Sequence, residues 1–578
     1  MAASDSKHWV LLAAGSKGWE DYRHQADVCH AYQVMHRNGI PDKQIVVMMY
    51  DDIANNEQNP EKGKIIRIPN GRNVYNYRRV MVPKDYTGEN VSAENFLAVL
   101  RGDSSAGAKV IQSGKNDTVF VYLSDHGGPG IFGFPSSTLY AHDLIETVTA
   151  MSQAGKFSKM VIYIESCCSG SMVEKLNELN ISNVYAVSSC KPDENSYGLY
   201  MDKKLNACLS DVFTHCWLQH TKTVRLNTTT FGDQFSYLKE KVSEAARRAG
   251  VSQTPCNYGD MNIANVMLSE LLGESPAPVT RAGSVPPTDF TVSDVIDTTE
   301  IPLLIKANRI ANEKDPKTRE ILESQYDDLV RKRKTMDEAL KKIEMRLKGQ
   351  QTLAEKHEVT RTYLLKDVAE HFKNNLFNWE KEPDVVTHLH FQVLVNLCES
   401  GLKVESINKA ITHVANSPSL RSNHFPAVTG AQGVLEIIDN FDRKGNAYAD
   451  GLYAEKKTYA SASENKPGKR IRKSGAKYQA GVGRVGAAWS VFAVEANCPN
   501  VSAEAMANVL EGRAMAAAEL VSVSAVAGPV QLKLGLGLDT GVSLGPAKFE
   551  LKILGTGVSF GSTMGISLFG SEFKLKLF

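Results

Sequence analysis

Two strand ends carry the residues most able to do chemistry. "TVFVYLSDHGGPG", Thr118–Gly130, is an apolar run that ends in Asp125 and His126, followed by glycines. About forty residues later, "VIYIESCCSGSM", Val161–Met172, ends in Glu165, Ser166, Cys167, Cys168, Ser169 and Gly170. An imidazole and a thiol at the ends of neighbouring strands suit nucleophilic catalysis. The imidazole takes the thiol proton, the thiolate attacks a carbonyl, and the imidazolium protonates the leaving amine. Glycines behind the histidine remove side chains, so backbone N–H groups can approach a developing oxyanion. The same residues also suit a buried, inert thiol and a hydrogen-bonded histidine.

The elements that must position this pair alternate strand and helix from Ser6 to about Leu272. Strands are predicted at His8–Ala14, Gln44–Tyr50, Thr118–Ser124, Met160–Glu165 and Asn183–Ser188. Several are near-continuous apolar runs, as expected for strands covered on both faces. Helical spacing lies between them, around Tyr22–Arg37, Ala93–Arg101, His142–Gln153 and Gly232–Ala249. The order predicts an α/β fold with an open, mainly parallel sheet and flanking helices. In such sheets, functional residues gather beyond the carboxyl ends of the strands.

The opening stretch, "KHWVLLAAGSKGWEDYRHQADVCHAYQVMHRNGIPDKQIVVMMYDDIA", resembles the legumains, the asparaginyl endopeptidases. So do "RIPNG", "VPKDYTGENVSAENFLAVLRGD", "SDHGGPG" and "YIESCCSGSM". The likeness runs from about Lys7 to Asp260 and continues more weakly into "HFKNNLFNW" and "VLVNLCES". It implies a caspase-like fold and a lysosomal-type cysteine protease that cleaves after Asn and less readily after Asp. It implies Cys167 as nucleophile, His126 as general acid and base, and the N–H groups of Gly127 and Cys167 as oxyanion donors. The family's third catalytic residue is usually an Asn in "GWxNYRH"; here that position is Asp21. The specificity pocket implied by the resemblance comprises Arg23, Glu165 and Asp211, walled by Asn195 and Ser196. Asn195 departs from the family's usual "ESSY". A carboxamide both donates and accepts hydrogen bonds, and a pocket with both charge signs serves both needs. Asp125 is the residue that the family links to succinimide formation and peptide ligation. Cys168, where relatives often have Glu, is expected to make the site sensitive to oxidation.

Beyond residue 273 the character changes. Residues 274–317 read as a Pro-rich linker and activation peptide, with Pro276, Pro278, Pro286 and Pro287. The resemblance puts self-cleavage after Asn312, within "IPLLIKANRIANEKD". Residues 318–442 read as an all-α prodomain, expected to inhibit the peptidase in cis and to leave at acidic pH. The expected lever is protonation of carboxylates paired with the basic run Arg331–Lys334. Residues 443–490 read as a basic polar linker. Residues 491–578 read as a β-rich module, because "VQLKLGLGL" and "SEFKLKLF" alternate with a period of two. Within it, the Ala- and Met-rich Glu504–Leu520 is expected to be helical. A protein partner is expected for this module, since exposed strand edges need covering.

With 578 residues, more than one core is expected. Formal net charge is +1 and 23% of residues are charged, so no global field favours nucleic acid. No apolar run reaches the roughly 18 residues that span a bilayer. The nine cysteines form no disulfide framework and show no metal-ligand spacing, so no metal or cofactor is expected. The compartment is lysosomal or vacuolar by resemblance. It is cytoplasmic by the lack of a signal-like N-terminus and by a prodomain with Cys398 alone, where relatives have two disulfides. "GVGRVG", Gly481–Gly486, has dinucleotide-loop spacing without a strand–turn–helix context. The leading expectation is an autoprocessed cysteine endopeptidase acting on peptides and proteins. The alternatives are a silent scaffold on the same fold, or a relative with Asp preference or ligase activity.

Overall fold

The computed structural model describes residues 6–104, 109–179, 181–274, 291–347 and 357–417, together with paired strands between residues 446 and 576. The chain forms two compact units, 1–423 and 424–578. The linker prolines and residues 418–445 lie outside the described residues.

In the first unit nine strands matter to the site: β1 (His8–Ala14), β2 (Ile45–Met48), β3 (Thr118–Ser124), β4 (Lys159–Glu165), β5 (Val184–Ser188), β6 (Tyr197–Asp202), β7 (Ala207–Asp211), β8 (Cys256–Gly259) and β9 (Val295–Asp297). The central sheet has the order β8-β5-β4-β3-β1-β2. Its strands are parallel except β8. Five helices flank it: α1 (Tyr22–Arg37), α2 (Ala93–Arg101), α3 (Ala141–Gln153), α4 (Val212–Thr223) and α5 (Phe231–Arg248). This is the open, mainly parallel sheet that the sequence predicts.

The period of two sorts the side chains. Val10, Leu12, Phe120, Tyr122, Val161 and Tyr163 enter one apolar cluster with residues of α1, α4 and α5. Leu11, Ala13, Val121, Leu123, Ile162 and Ile164 enter a second, with α2 and α3. Glu165 has the parity of Val161 and Tyr163, so it turns toward α1 and α4. Helix ends are capped locally. Ser92 Oγ accepts from the N–H of Asn95, and Thr230 with Asp233 forms a reciprocal capping box on α5.

Beyond the short helix Ser269–Leu272 come five more: α6 (Ile301–Asn312), α7 (Pro316–Leu347), α8 (Thr362–Asn375), α9 (His388–Glu399) and α10 (Val404–Ala415). The helix α7 buries one apolar face through Leu322, Leu329, Met336, Leu340 and Ile343. This helical part packs on the glycine loop after β3. A Cβ on Gly128 would lie 2.6 Å from Phe391 Cδ2, and one on Gly130 would lie 2.9 Å from Leu365 Cδ2. Trp379 Nε1 donates to Thr138 Oγ1 at 3.0 Å, Tyr140 OH donates to Glu370 at 2.7 Å, and Lys366 pairs with Asp143 at 2.8 Å.

The basic run has a different role from the expected one. Arg331 and Lys332 pair with Asp328, Lys332 also pairs with Glu382, and Arg333 Nε donates to the carbonyl of Asp384. These partners all belong to the helical part itself, because they lie within a turn or on the segment folded against α7.

The second unit is an antiparallel sheet of twelve strands. Two expectations are corrected here. Glu504–Leu520 is not helical: Asn500–Asn508 and Gly512–Ala527 are paired strands. The stretch expected as a linker holds strands Asn446–Asp450, Tyr453–Ser461, Lys473–Gly481 and Arg484–Trp489. Alanine favours helix in isolation, but ladder pairing on both sides of a segment overrides that preference. "GVGRVG" spans the end of strand Lys473–Gly481 and the start of strand Arg484–Trp489, with no helix opening after it, which removes the dinucleotide reading.

Phe391→Ala should loosen the helical part by roughly 3–5 kcal/mol, the usual cost of emptying a buried Phe site. Faster amide hydrogen exchange in α8 and α9, with α1 unchanged, is the expected result.

Candidate active site

The register of β3 and β4 brings the two reactive groups together. Ser124 pairs with Glu165, and the N–H of Asp125 donates to the carbonyl of Glu165 at 3.1 Å. His126 and Cys167 each lie two residues beyond that pair. Adjacent parallel strands are about 4.8 Å apart, so both side chains leave neighbouring strand ends. Gly127 is needed for the approach: a Cβ there would stand 2.5 Å from Cys167 O and 2.6 Å from Ser166 Oγ. Its backbone therefore lies against that of Cys167. Cys168 turns the chain in a left-handed conformation, φ 54°, leading into the short helical turn Ser169–Met172.

His126 Nε2 lies 2.7 Å from Asp21 Oδ1. Burial alone would lower the imidazole pKa. The Asp21 charge and hydrogen bond outweigh burial and raise it to about 9. Burial would likewise raise Asp21, but His126 and Arg23 hold its carboxyl below the usual range. Next to this pair stands His24, its ring centroid 5.2 Å from that of His126 in edge-on contact. Burial first, then the charges of Arg23 and His126, keep His24 neutral, with its pKa well below the ordinary value.

Arg23 is 1% exposed and links two groups of acids. Its Nε lies 3.0 Å from Asp211 Oδ1 and its Nη1 lies 3.5 Å from Asp21 Oδ1. Glu165 Oε2 accepts from Thr214 N–H at 3.0 Å and from Thr214 Oγ1 at 3.1 Å. Glu165 Oε1 and Asp211 Oδ2 are buried without a hydrogen-bond partner. Burial, then repulsion from Asp211 and Asp27, push the Glu165 pKa well above normal; burial also raises Asp211, against the pull of Arg23. Asp27 was not predicted from sequence. It accepts from the N–H of Asp211 at 3.2 Å and from Ser210 Oγ at 3.1 Å, behind the cluster. Its link to Ser210 and Asp211 spans more than 180 residues of chain, which no local pattern records.

Ser196 sits at the thiol, its N–H donating to Cys167 Sγ at 3.4 Å. Asn195 is half-buried beside it. Thr298, also unpredicted, places Oγ1 3.4 Å from Cys167 Sγ. It follows β9, which pairs antiparallel with β6 in the register Tyr197↔Asp297, Gly198↔Ile296 and Leu199↔Val295. A cavity of about 90 Å³ remains, lined by His126, Cys167, Thr298, Arg333, Asp384 and Phe391 among others. Asn312 is exposed at the last position of α6, its amide donating to the Asn308 carbonyl at 2.9 Å. A twelve-residue helix is about 18 Å long, so Asn312 ends well away from the segment at the thiol.

The described cysteines are all free. Asp21, His24 and His126 are close enough to share a metal ion. Each already has a protein partner that accounts for its position, so the geometry suits acid–base work without one.

Residues 8–274 match the peptidase C13 family. Legumain of Rattus norvegicus is 38% identical over 428 residues, covering 71% of this chain and 93% of the relative. A vacuolar-processing enzyme of Phaseolus vulgaris is 34% identical over 424 residues, covering 70% and 84%. Caspase-1 of Spodoptera frugiperda has a TM-score of 0.29 at 12% identity, covering 47% of this chain and 94% of that one, and adds no weight. On the likeness to legumain, the chain belongs to the peptidase C13, or legumain, family of cysteine endopeptidases.

Proposed function

We propose that this protease cleaves after asparagine, with Cys167 as nucleophile and His126 as general acid and base. The observation that carries this reading is the pair of orphaned carboxyl oxygens, Glu165 Oε1 and Asp211 Oδ2, beside the Arg23 guanidinium. A side-chain amide offers two N–H donors to those oxygens and one carbonyl oxygen to Arg23. An aspartate side chain offers only acceptors while ionised, so it leaves those oxygens without donors and adds a charge to a buried site. It enters once protonated, so cleavage after Asp should gain on cleavage after Asn as pH falls through the carboxylate range near 4.

In this reading Cys167 Sγ attacks the carbonyl carbon after Asn, and the N–H groups of Gly127 and Cys167 hold the oxyanion. His126 passes the thiol proton to the departing amine, then draws a proton from the water that hydrolyses the thioester. Asp21, in the position usually held by Asn, holds the ring by Nε2 and stabilises the imidazolium. The scaffold alternative has less support, since the cluster keeps costly buried acids close to the thiol and imidazole.

We read the described state as an autoinhibited zymogen. The β9 strand adds to the β6 edge as a bound peptide would, and Thr298 covers the thiol. The bond after Asn312 is out of reach of Cys167 in the same chain, so the first cut is made by another molecule. Lys366–Asp143 is an ion pair between the helical and peptidase parts. Asp384 is a buried acid of the helical part that faces Asp21 and Glu20. Burial, then Asp21 and Glu20, raise its pKa to about 7, so its ionised form opposes docking above that pH and protonation relieves it.

After incubation at acidic pH, the wild type should hydrolyse an Ala-Ala-Asn peptide. The Asp/Asn ratio should rise as pH is lowered, and Cys167→Ala should be inert. Equal turnover by wild type and Cys167→Ala would sink the assignment. Asp21→Asn removes the charge that raises His126, so the alkaline limb of kcat/KM should move down from about 9 by roughly one unit or more. Asn312→Ala should slow maturation, and the wild-type rate per molecule should rise with protein concentration. A concentration-independent rate would exclude cutting between molecules.

A further inference from the structure

A cavity of about 720 Å³ lies between α1, the loop 67–80 and the end of α4, built from residues that the active site does not use. Its walls carry Arg37, Arg67, Arg72, Arg78 and Lys222, and no Asp or Glu lines it. Among the described residues, no ion pair joins Arg37, Arg72, Arg78 or Lys222 to a carboxylate. Five cations around one hollow repel each other and focus a positive potential inside it.

Arg67 is the fixed point. It is 2% exposed, its Nε donates to Asp27 Oδ1 at 2.5 Å, and its Nη1 lies 3.4 Å from His30 Nδ1. Its Nη2 is buried without a hydrogen-bond partner. A buried guanidinium N–H left unmade is costly, and an oxyanion is the partner that its fork geometry fits best. The other charged groups around the cavity do not neutralise it. His36 on α1 is paired with Asp42, and His30 is held neutral, well below its usual pKa, by burial, Lys222, Arg67 and His215. Burial, then Arg67, Arg37 and Arg72, bring the Lys222 pKa down to about 8.

The loop that closes the cavity is held in an unusual shape. Asn70, Arg78 and Arg79 have φ of 56°, 50° and 69°, in the left-handed region that such residues seldom adopt. Tyr77 lies between two cations, 5.7 Å from Arg72 and 5.3 Å from Arg78. This arrangement presents both arginines to the hollow, and strained backbone of this kind collects at ligand sites.

We infer that this cavity binds a compact, multiply charged oxyanion carrying adjacent tetrahedral phosphate or sulfate groups. The volume leaves room for an organic part attached to such groups, as in a phosphate ester or a sulfated sugar.

The test uses the full-length chain with Cys167→Ala, which keeps it from processing itself. Calorimetric titration with inorganic pyrophosphate and with a trisulfated disaccharide should give saturable one-site binding of one of them, weakened by added salt. Preference for pyrophosphate assigns a phosphate ester, and preference for the disaccharide a sulfated sugar. Arg72→Gln combined with Arg78→Gln, both exposed and away from the core, should weaken binding by about tenfold or more. Arg79→Gln, which does not line the cavity, should leave binding unchanged. Saturation by neither probe, or equal binding by the wild-type cavity and the double variant, would overturn the inference.

Discussion

A guanidinium that is almost wholly buried cannot shed its proton, so the surroundings of Arg23 must carry compensating negative charge. They do so on two sides. Asp21 takes one side and passes its influence to His126, while Asp211 takes the other and faces Glu165 and Asp27. One cation thus holds together the groups that would do the chemistry and those that would select the substrate. The orphaned oxygens of Glu165 and Asp211 mark the side where this balance is incomplete. A ligand amide is the natural completion, because it adds donors without adding charge.

Much of this was legible in the chain. The central strands are apolar runs long enough to announce a sheet buried on both faces, and their ends carry His126 and Cys167. The parity that turns Glu165 toward α1 follows from the same strand. Arg23 and Asp211 came from family resemblance, since 188 residues separate them and no local pattern joins them. Asp27, Thr214 and Thr298 were missed for that reason: each acts through a contact between distant elements. The second unit misled in another way. Its Ala-rich segments have helical propensity, and strand pairing with neighbours on both sides decides their state.

The helical part covers the site by packing rather than by charge. Phe391 and Leu365 fit where Gly128 and Gly130 have no side chains, so the same loop that lets Gly127 approach Cys167 also admits the cover. The contacts that join the two parts include the ion pairs Lys366–Asp143 and Lys306–Glu20 and several hydrogen bonds to Thr138 and Tyr140. Such a joint combines an apolar, packed centre with a polar rim.

The pairing of β9 with the free edge of β6 has a consequence for what the protease can eat. A guest on that edge is held through its main chain, which every sequence shares. It must also be pulled straight over several residues before one of its side chains can reach the pocket. A folded protein offers such a stretch only when it opens locally, and openings differ in free energy from near zero at loops to the full stability of the core. Bonds in firm helices and sheets would therefore be spared, and the order of cuts would follow the order in which the victim's own structure gives way.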